Sequence, residues 1–313
     1  MVSFRFHLVS LIAVFLALGL GILVGSSVVD RVIVDRLDDE IASVRSESAQ
    51  RNQENARLND RLNNLDEFVR DSAQYSVSGR LEKQPVLLAV DKSVDENAAK
   101  EVLATLRASG ATAPGILWLD DRWRLDAAQD LAALREAADV TGNAANARTA
   151  AIEKLASRFA ERPTAATRRT DPVAPLQDAK FLEWTEGSAS ALGAFPAAQA
   201  RVVILTATDT RLASSETVLG LARALTAEGV PVVIGEVYDD NGGRTPAPER
   251  GRVLTPIRGD ATLTKQVSTV DDAEMVQGRV ALAIALQQAI GDVVGHYGYG
   301  RGASAALPQP AAS

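Results

Sequence analysis

Cysteine is absent from this 313-residue chain, and that one absence removes disulfides, Cys-ligated zinc, iron–sulfur clusters and thiol nucleophiles together. Redox compartment therefore leaves no mark on the composition. Histidine occurs twice, as His7 and His296, and beyond the initiator the only methionine is Met275, so the soft and imidazole ligands that copper and zinc favour are scarce. No long Lys/Arg run occurs. The formal net charge of −7, from 33 Lys and Arg against 40 Asp and Glu, argues against nucleic acid as a partner, because neutralising phosphate needs a basic face. Walker, HExxH and G-x-S-x-G sequences are missing too, and with them the usual nucleotide, zinc-protease and serine-hydrolase signatures. No catalytic constellation is visible and no cofactor is expected.

What is present is enough apolar material, 46% of residues, to bury a core, with a globular share of charge at 23%. The length leaves room for about two ordinary domains. Leu8 to Val29 is a run of 22 residues without a charge, and as a helix it would rise about 33 Å, enough for a hydrocarbon core of about 30 Å. We read residues 1–29 as a short tail and a single-pass anchor in a lipid bilayer. The competing reading is a cleaved signal peptide, but the apolar run exceeds the usual length and no A-x-A site follows it. Ala13, Ala17, Gly21 and Gly25 recur every fourth residue, a spacing that suits close approach of two membrane helices and equally reflects how common Gly and Ala are in such helices. Arg5 precedes the run while Arg31, Arg36 and Arg45 follow it, so the positive-inside count does not support an inside N-terminus.

Residues 30–78 contain neither Gly nor Pro. Leu37, Ile41, Val44, Ser48, Arg51, Asn55, Leu58, Leu62, Leu65 and Val69 follow one another at alternating steps of four and three, an unbroken heptad register. Ile41, Ser48, Asn55, Leu62 and Val69 take the a positions and Leu37, Val44, Arg51, Leu58 and Leu65 the d positions. The expectation is a coiled-coil stalk that makes a parallel homodimer, with Asn55 fixing register by pairing with its mate. Ile41, Leu58, Leu62, Leu65, Gly21 and Gly25 complete the candidate dimer contacts. A single amphipathic helix lying on the protein's own domain is the alternative.

From residue 84 to 302 apolar runs alternate with helical patterns, which predicts a Rossmann-like α/β domain with a mostly parallel sheet. Val86 to Val90 and Ile116 to Leu119 read as strands around a helix carrying Val102, Leu103 and Leu106, with Ser93-Val94-Asp95-Glu96 as its capping box. Residues 126–162 read as two helices divided near Gly142-Asn143, and 163–179 as a polar loop. Val202 to Leu205 and Val232 to Ile234 are strands around a helix capped by Ser214 or Ser215. Val253-Leu254 and Val267 to Val270 are candidate short strands. Gly278 opens a last helix, apolar on most sides and so packed on the sheet, and 303–313 read as a disordered tail.

The strand ends carry no glycine-rich phosphate turn: Asp91-Lys92-Ser93 follows one strand and Thr206-Ala207-Thr208-Asp209 another. Gly298-Tyr299-Gly300-Arg301-Gly302 lies beyond a helix, the wrong place for a nucleotide loop. Asp120-Asp121, Asp239-Asp240 and Asp271-Asp272 could hold a hard cation, or be ordinary surface turns. His296 could ligate a metal or shuttle protons, or be a hydrogen-bonded structural residue. With Met275 it is the candidate metal-ligand set.

Ser268-Thr269-Val270-Asp271-Asp272, Gly278-Arg279-Val280 leading into Ala283 to Leu286, Gly295-His296-Tyr297-Gly298, and a start of the form V-S-F-R-x-H before VSLIAVFLALGLGILVGS together resemble the actinobacterial copper transport outer-membrane protein family, nearly end to end. The resemblance implies a cell-envelope protein with its C-terminal domain outside the cytoplasm and a role in copper export or homeostasis. Corynebacterial relatives imply septal envelope assembly with a membrane partner. The short buried-type strands do not read as a membrane barrel, which needs segments of about ten alternating residues. Two functions therefore stand beside each other, copper transport and a non-enzymatic dimeric scaffold that docks an envelope protein. An enzyme on a Rossmann-like head would rest on fold analogy alone.

Overall fold

The structure, a computed structural model, describes residues 4–161, 171–185, 199–208, 214–238 and 250–309. The chain divides into two compact units, Met1–Glu67 and Phe68–Ser313.

The first unit holds most of α1 (Phe4–Val77), a helix of 74 residues. Phe4–Gly25 within it has a mean hydropathy of 2.7 and is long and apolar enough to cross a membrane. The residues around Gly21 and Gly25 leave open space where a Cβ would stand. Further along, Leu37, Ile41, Val44, Leu58, Leu62 and Leu65 are all exposed, as is Asn55. The helical half of the stalk reading is thus observed, and the seam of the single chain is uncovered.

The second unit is built on a seven-stranded sheet of order β3-β2-β1-β4-β5-β6-β7. Its strands are β1 (Val86–Asp91), β2 (Ile116–Leu119), β3 (Leu182–Thr185), β4 (Arg201–Ala207), β5 (Val232–Val237), β6 (Val267–Val270) and β7 (His296–Tyr297). All neighbours pair in parallel except β2 with β3, so the mostly parallel α/β expectation holds. Continuous apolar runs such as Val86–Asp91, buried at every position, are what a sheet covered on both faces requires. One face packs Leu87, Leu117, Ile204 and Ile234 against α3 (Ala128–Ala138), α4 (Ala144–Ala160) and α6 (Ser214–Ala227). The other packs Leu88, Trp118, Leu205 and Val233 against α2 (Glu96–Ala108), α8 (Val276–Ile290) and the end of α1 at Val77.

The division near Gly142-Asn143 is observed, with Asn143 capping α4 through Asn146 N–H. Four local readings change. Asp95, not Ser93, caps α2, accepting from Asn97 and Ala98 N–H, while the Ser93 hydroxyl turns back to Asp91. Val253-Leu254 is not a strand. Its amides point to a buried carboxylate and lead into the short helix α7 (Thr255–Gly259). The expected loop contains α5 (Ala174–Asp178), tied down by the Arg158–Asp171 ion pair at 2.9 Å, and residues 162–170 lie outside the described ones. The edge strand β3 follows, unseen in the sequence because Leu-Glu-Trp-Thr has no apolar run.

Residues 303–309 pack back on the unit, with Ala305 bridging Tyr297 and Ser304 N–H donating to the His296 carbonyl; residues 310–313 lie outside the described ones.

Candidate functional site

Parallel sheets offer their chemistry at the carboxyl ends of their strands, and here those ends are acidic. Asp91 closes β1, Glu236 lies near the end of β5, and Asp271-Asp272 follow β6, all of them buried.

The densest group centres on Arg258 of α7 and Asp271. Their ion pair is 2.9 Å long with both side chains almost fully buried. Arg258 Nε donates to Thr269 Oγ1, Nη1 to the Arg301 carbonyl, and Nη2 to both Asp271 Oδ2 and the Tyr297 carbonyl. Asp271 Oδ1 accepts from Tyr299 N–H at 2.6 Å and Gly300 N–H at 3.0 Å. Successive backbone amides of this kind form an anion-binding nest, and this nest is filled by the protein's own carboxylate. Gly298 makes it possible: its φ is +115°, and a Cβ there would fall on the Asp271 carboxylate. The glycine-rich run is therefore a clamp for the C-terminal segment, not a phosphate loop.

His296 sits beside the clamp, half-buried. Its Nδ1 lies 2.9 Å from Thr269 Oγ1, and Nε2 lies 2.9 Å from Thr264 Oγ1 and 3.1 Å from the Thr264 carbonyl. A carbonyl only accepts, so Nε2 carries the proton. In the neutral ring Nδ1 then carries no proton and accepts from the Thr269 hydroxyl. Burial, aided by the charge of Arg258, holds the ring below its ordinary pKa although the Thr264 carbonyl acts the other way, which keeps it neutral. Met275 stands at the N-terminal boundary of α8, partly exposed, with Sδ accepting from Gln277 at 3.0 Å. The ring of His296 is thus engaged through both nitrogens by threonines, and Met275 by its own helix. Among the described residues no group of three or more His, Asp and Glu side chains is arranged to hold a metal ion.

The acidic pairs resolve individually. Asp120 caps the single turn at Asp121–Arg124, an ordinary Asx role. Asp272, at φ +61°, meets the guanidinium of Arg250, which also reaches Glu274 at 3.3 Å and stacks 4.0 Å over the Tyr238 ring. Asp239-Asp240 lies outside the described residues. Glu236, which sequence reasoning passed over, accepts from Gly251, Val253 and Leu254 N–H at 2.9, 2.9 and 3.1 Å. Burial raises its pKa in spite of those donors. A lone Glu inside Val-Val-Ile-Gly-Glu-Val was the available signal for it, whereas Arg258, in Thr-Pro-Ile-Arg-Gly shortly after Arg250 and Arg252, had no comparable one.

A cavity of about 880 Å³ opens between α4 and α6, bordered by Arg148, Ile152, Glu153, Gly220 and Arg223. None of the candidate copper ligands borders it. The dimer candidates lie elsewhere, all on α1 and all exposed.

Across residues 1–308 the chain matches the family described as copper transport outer membrane protein, MctB. Proteins named Copper transporter MctB from Mycobacterium bovis and Mycobacterium tuberculosis are each 24% identical to it over 328 residues, covering 97% of this chain and 98% of theirs. With the match running from the apolar helix through the Asp271 clamp, this chain belongs to the MctB copper transport outer membrane protein family.

Proposed function

We propose that the chain is a single-pass envelope protein serving copper export or homeostasis, with its α/β head outside the cytoplasm. The observation that carries this reading is the family match over residues 1–308 together with the N-terminal apolar helix. The family's role is transport, and no residue here is assigned to catalysis.

The head is poorly equipped to chelate copper by itself. Cu(I) favours Cys and Met, and Cu(II) favours imidazole; outside the anchor those amount to Met275 and His296, whose contacts within the protein would have to break first. The proposed contribution is accordingly that of an anchored homodimer that offers its head to a membrane or envelope partner, with copper as the cargo of the process. Removing the protein from its host should raise cell-associated copper. Calorimetric titration of residues 30–313 with copper should show no tight stoichiometric site, and tight binding abolished by His296→Ala would replace the docking role with direct chelation. Unchanged copper content after deletion would sink the copper reading altogether.

A further inference from the structure

The heptad stripe of α1 has two fates. In the first unit its apolar members from Leu37 to Leu65 are exposed. In the second unit the head covers a face of the helix that overlaps the stripe: Val77, a b position, is buried in the core, Ala73, an e position, packs against it, and Val69, Ser72 and Ser76 are partly buried. Phe68 and Tyr75, which flank the stripe there, are exposed. Continuing the register, Val69 and Ser76 are a positions and Ser72 a d position, so the head takes for itself part of the face that upstream has no occupant.

The charges beside the stripe indicate which occupant fits upstream. Glu40, Glu47, Glu54 and Arg61 take the g positions, and Arg45, Asn52, Asn59 and Asp66 the e positions; all eight are exposed. In a parallel, in-register pair each g residue faces the next e residue of the other chain, and these contacts select partner and orientation. The facing pairs are then Glu40 with Arg45, Glu47 with Asn52, Glu54 with Asn59, and Arg61 with Asp66. Two are opposite in charge and none is alike. An antiparallel pair in full overlap sets g against g and e against e. Glu40 then meets Arg61 and Arg45 meets Asp66, but Glu47 meets Glu54 twice, so the parallel pair is the one without a like-charged contact.

We infer that the occupant is a second copy of this chain, parallel and in register, held in orientation by Glu40–Arg45 and Arg61–Asp66 contacts, and that the pairing ends at Leu65 because from Val69 onward the stripe is partly buried beside the head. This rests on the parallel homodimer reading and adds its ion pairs and its endpoint.

The cysteine-free full-length chain, in membranes, suits a test by single cysteines, since a disulfide needs Cα atoms within about 7 Å. Under mild oxidation Ile41→Cys and Leu62→Cys should each cross-link like to like, and Ser72→Cys and Ser76→Cys at least tenfold less. Adding Arg61→Glu should lower the Leu62→Cys yield severalfold, and adding Asp66→Arg as well should restore it. Equal cross-linking at Ser76→Cys overturns the endpoint, and no rescue by Asp66→Arg overturns the ion pairs. Cross-links that form only between different cysteine positions overturn the parallel orientation while leaving a dimer standing. No cross-link at any position removes the homodimer reading itself.

Discussion

Arg258 and Asp271 show what a single buried pair does for this head. Each charge has left water, and each is compensated on several sides, the guanidinium by three oxygens besides the carboxylate and the carboxylate by two amides. Removing one partner strands the other, which typically costs about 3–5 kcal/mol. Arg258→Met should therefore lower the unfolding free energy by that order in urea melts, with Asp271→Asn adding much less than its own single effect because the two share one network. Additive losses would show the pair to be uncoupled. His296 gives a pH signature. Its folded-state pKa lies below the ordinary 6.5, so between those two values the unfolded chain binds more protons than the folded one, and stability rises with pH through that window. It is fully present above 6.5 and lost as pH falls toward the folded-state value. Glu236 works in the opposite sense, since its raised pKa makes stability fall as pH rises above 4.5. The difference in melting temperature between the native chain and His296→Gln, followed from pH 7.5 down to pH 5 (roughly the range where an imidazole titrates), isolates the histidine contribution and should shrink on acidification. A constant difference would mean that the ring is not held neutral by its surroundings.

At the scale of elements, position within the sheet decides how much can be read in advance. The buried strands β1, β2, β4 and β5 announce themselves as apolar runs, β6 (Val-Ser-Thr-Val) reads only as a candidate strand, and the α3–α4 division at Gly142-Asn143 follows from turn and cap chemistry. Edge strands do not. β3 is half polar and β7 is two residues long, and both owe their existence to pairing with a neighbour that one segment's pattern cannot reveal. The clamp was illegible for the same reason: Arg258, Asp271 and Gly300 are far apart in sequence, and only the return of the chain beside β6 joins them. Gly278 was legible as a helix start, but its cause lies in contact. It sits in the first turn of α8, where a Cβ would run into the Asp272 carbonyl. Backbone has little freedom to yield, so Gly278→Ala should destabilise the head by about 1–3 kcal/mol, read from thermal melts; a neutral outcome would mean that α8 can shift relative to Asp272. On α1, the proposed pairing gives Asn55 the register-setting role, and Asn55→Leu exchanges that polar residue for an apolar one. The expected result is an altered oligomeric state or mixed register, seen by light scattering and by cross-linking at Leu62→Cys, and an unchanged monomer would count against a paired stalk.

On the scale of the whole molecule, the proposed pairing makes the anchor and the stalk depend on each other. Three consecutive seam positions, Ser48, Arg51 and Asn55, are polar, which leaves apolar seam contacts only on either side of them. Such a stripe specifies register at the expense of affinity, and free in solution its pairing is expected to be concentration-dependent. A membrane anchor changes that balance. Two chains held in one bilayer meet at an effective concentration far above that of free protein, so a weak contact is completed without new side chains, and the small-residue face at Gly21 and Gly25 leaves room for close approach. Residues 30–313 should accordingly dissociate on dilution, by sedimentation velocity, at total concentrations where the full-length chain in membranes still cross-links at Leu62→Cys. If the soluble fragment stays dimeric at nanomolar concentration, the stalk alone supplies the affinity and the anchor serves only location. If the full-length chain with Gly21→Leu and Gly25→Leu loses its cross-link while remaining in the membrane, the apolar helix contributes packing as well as proximity.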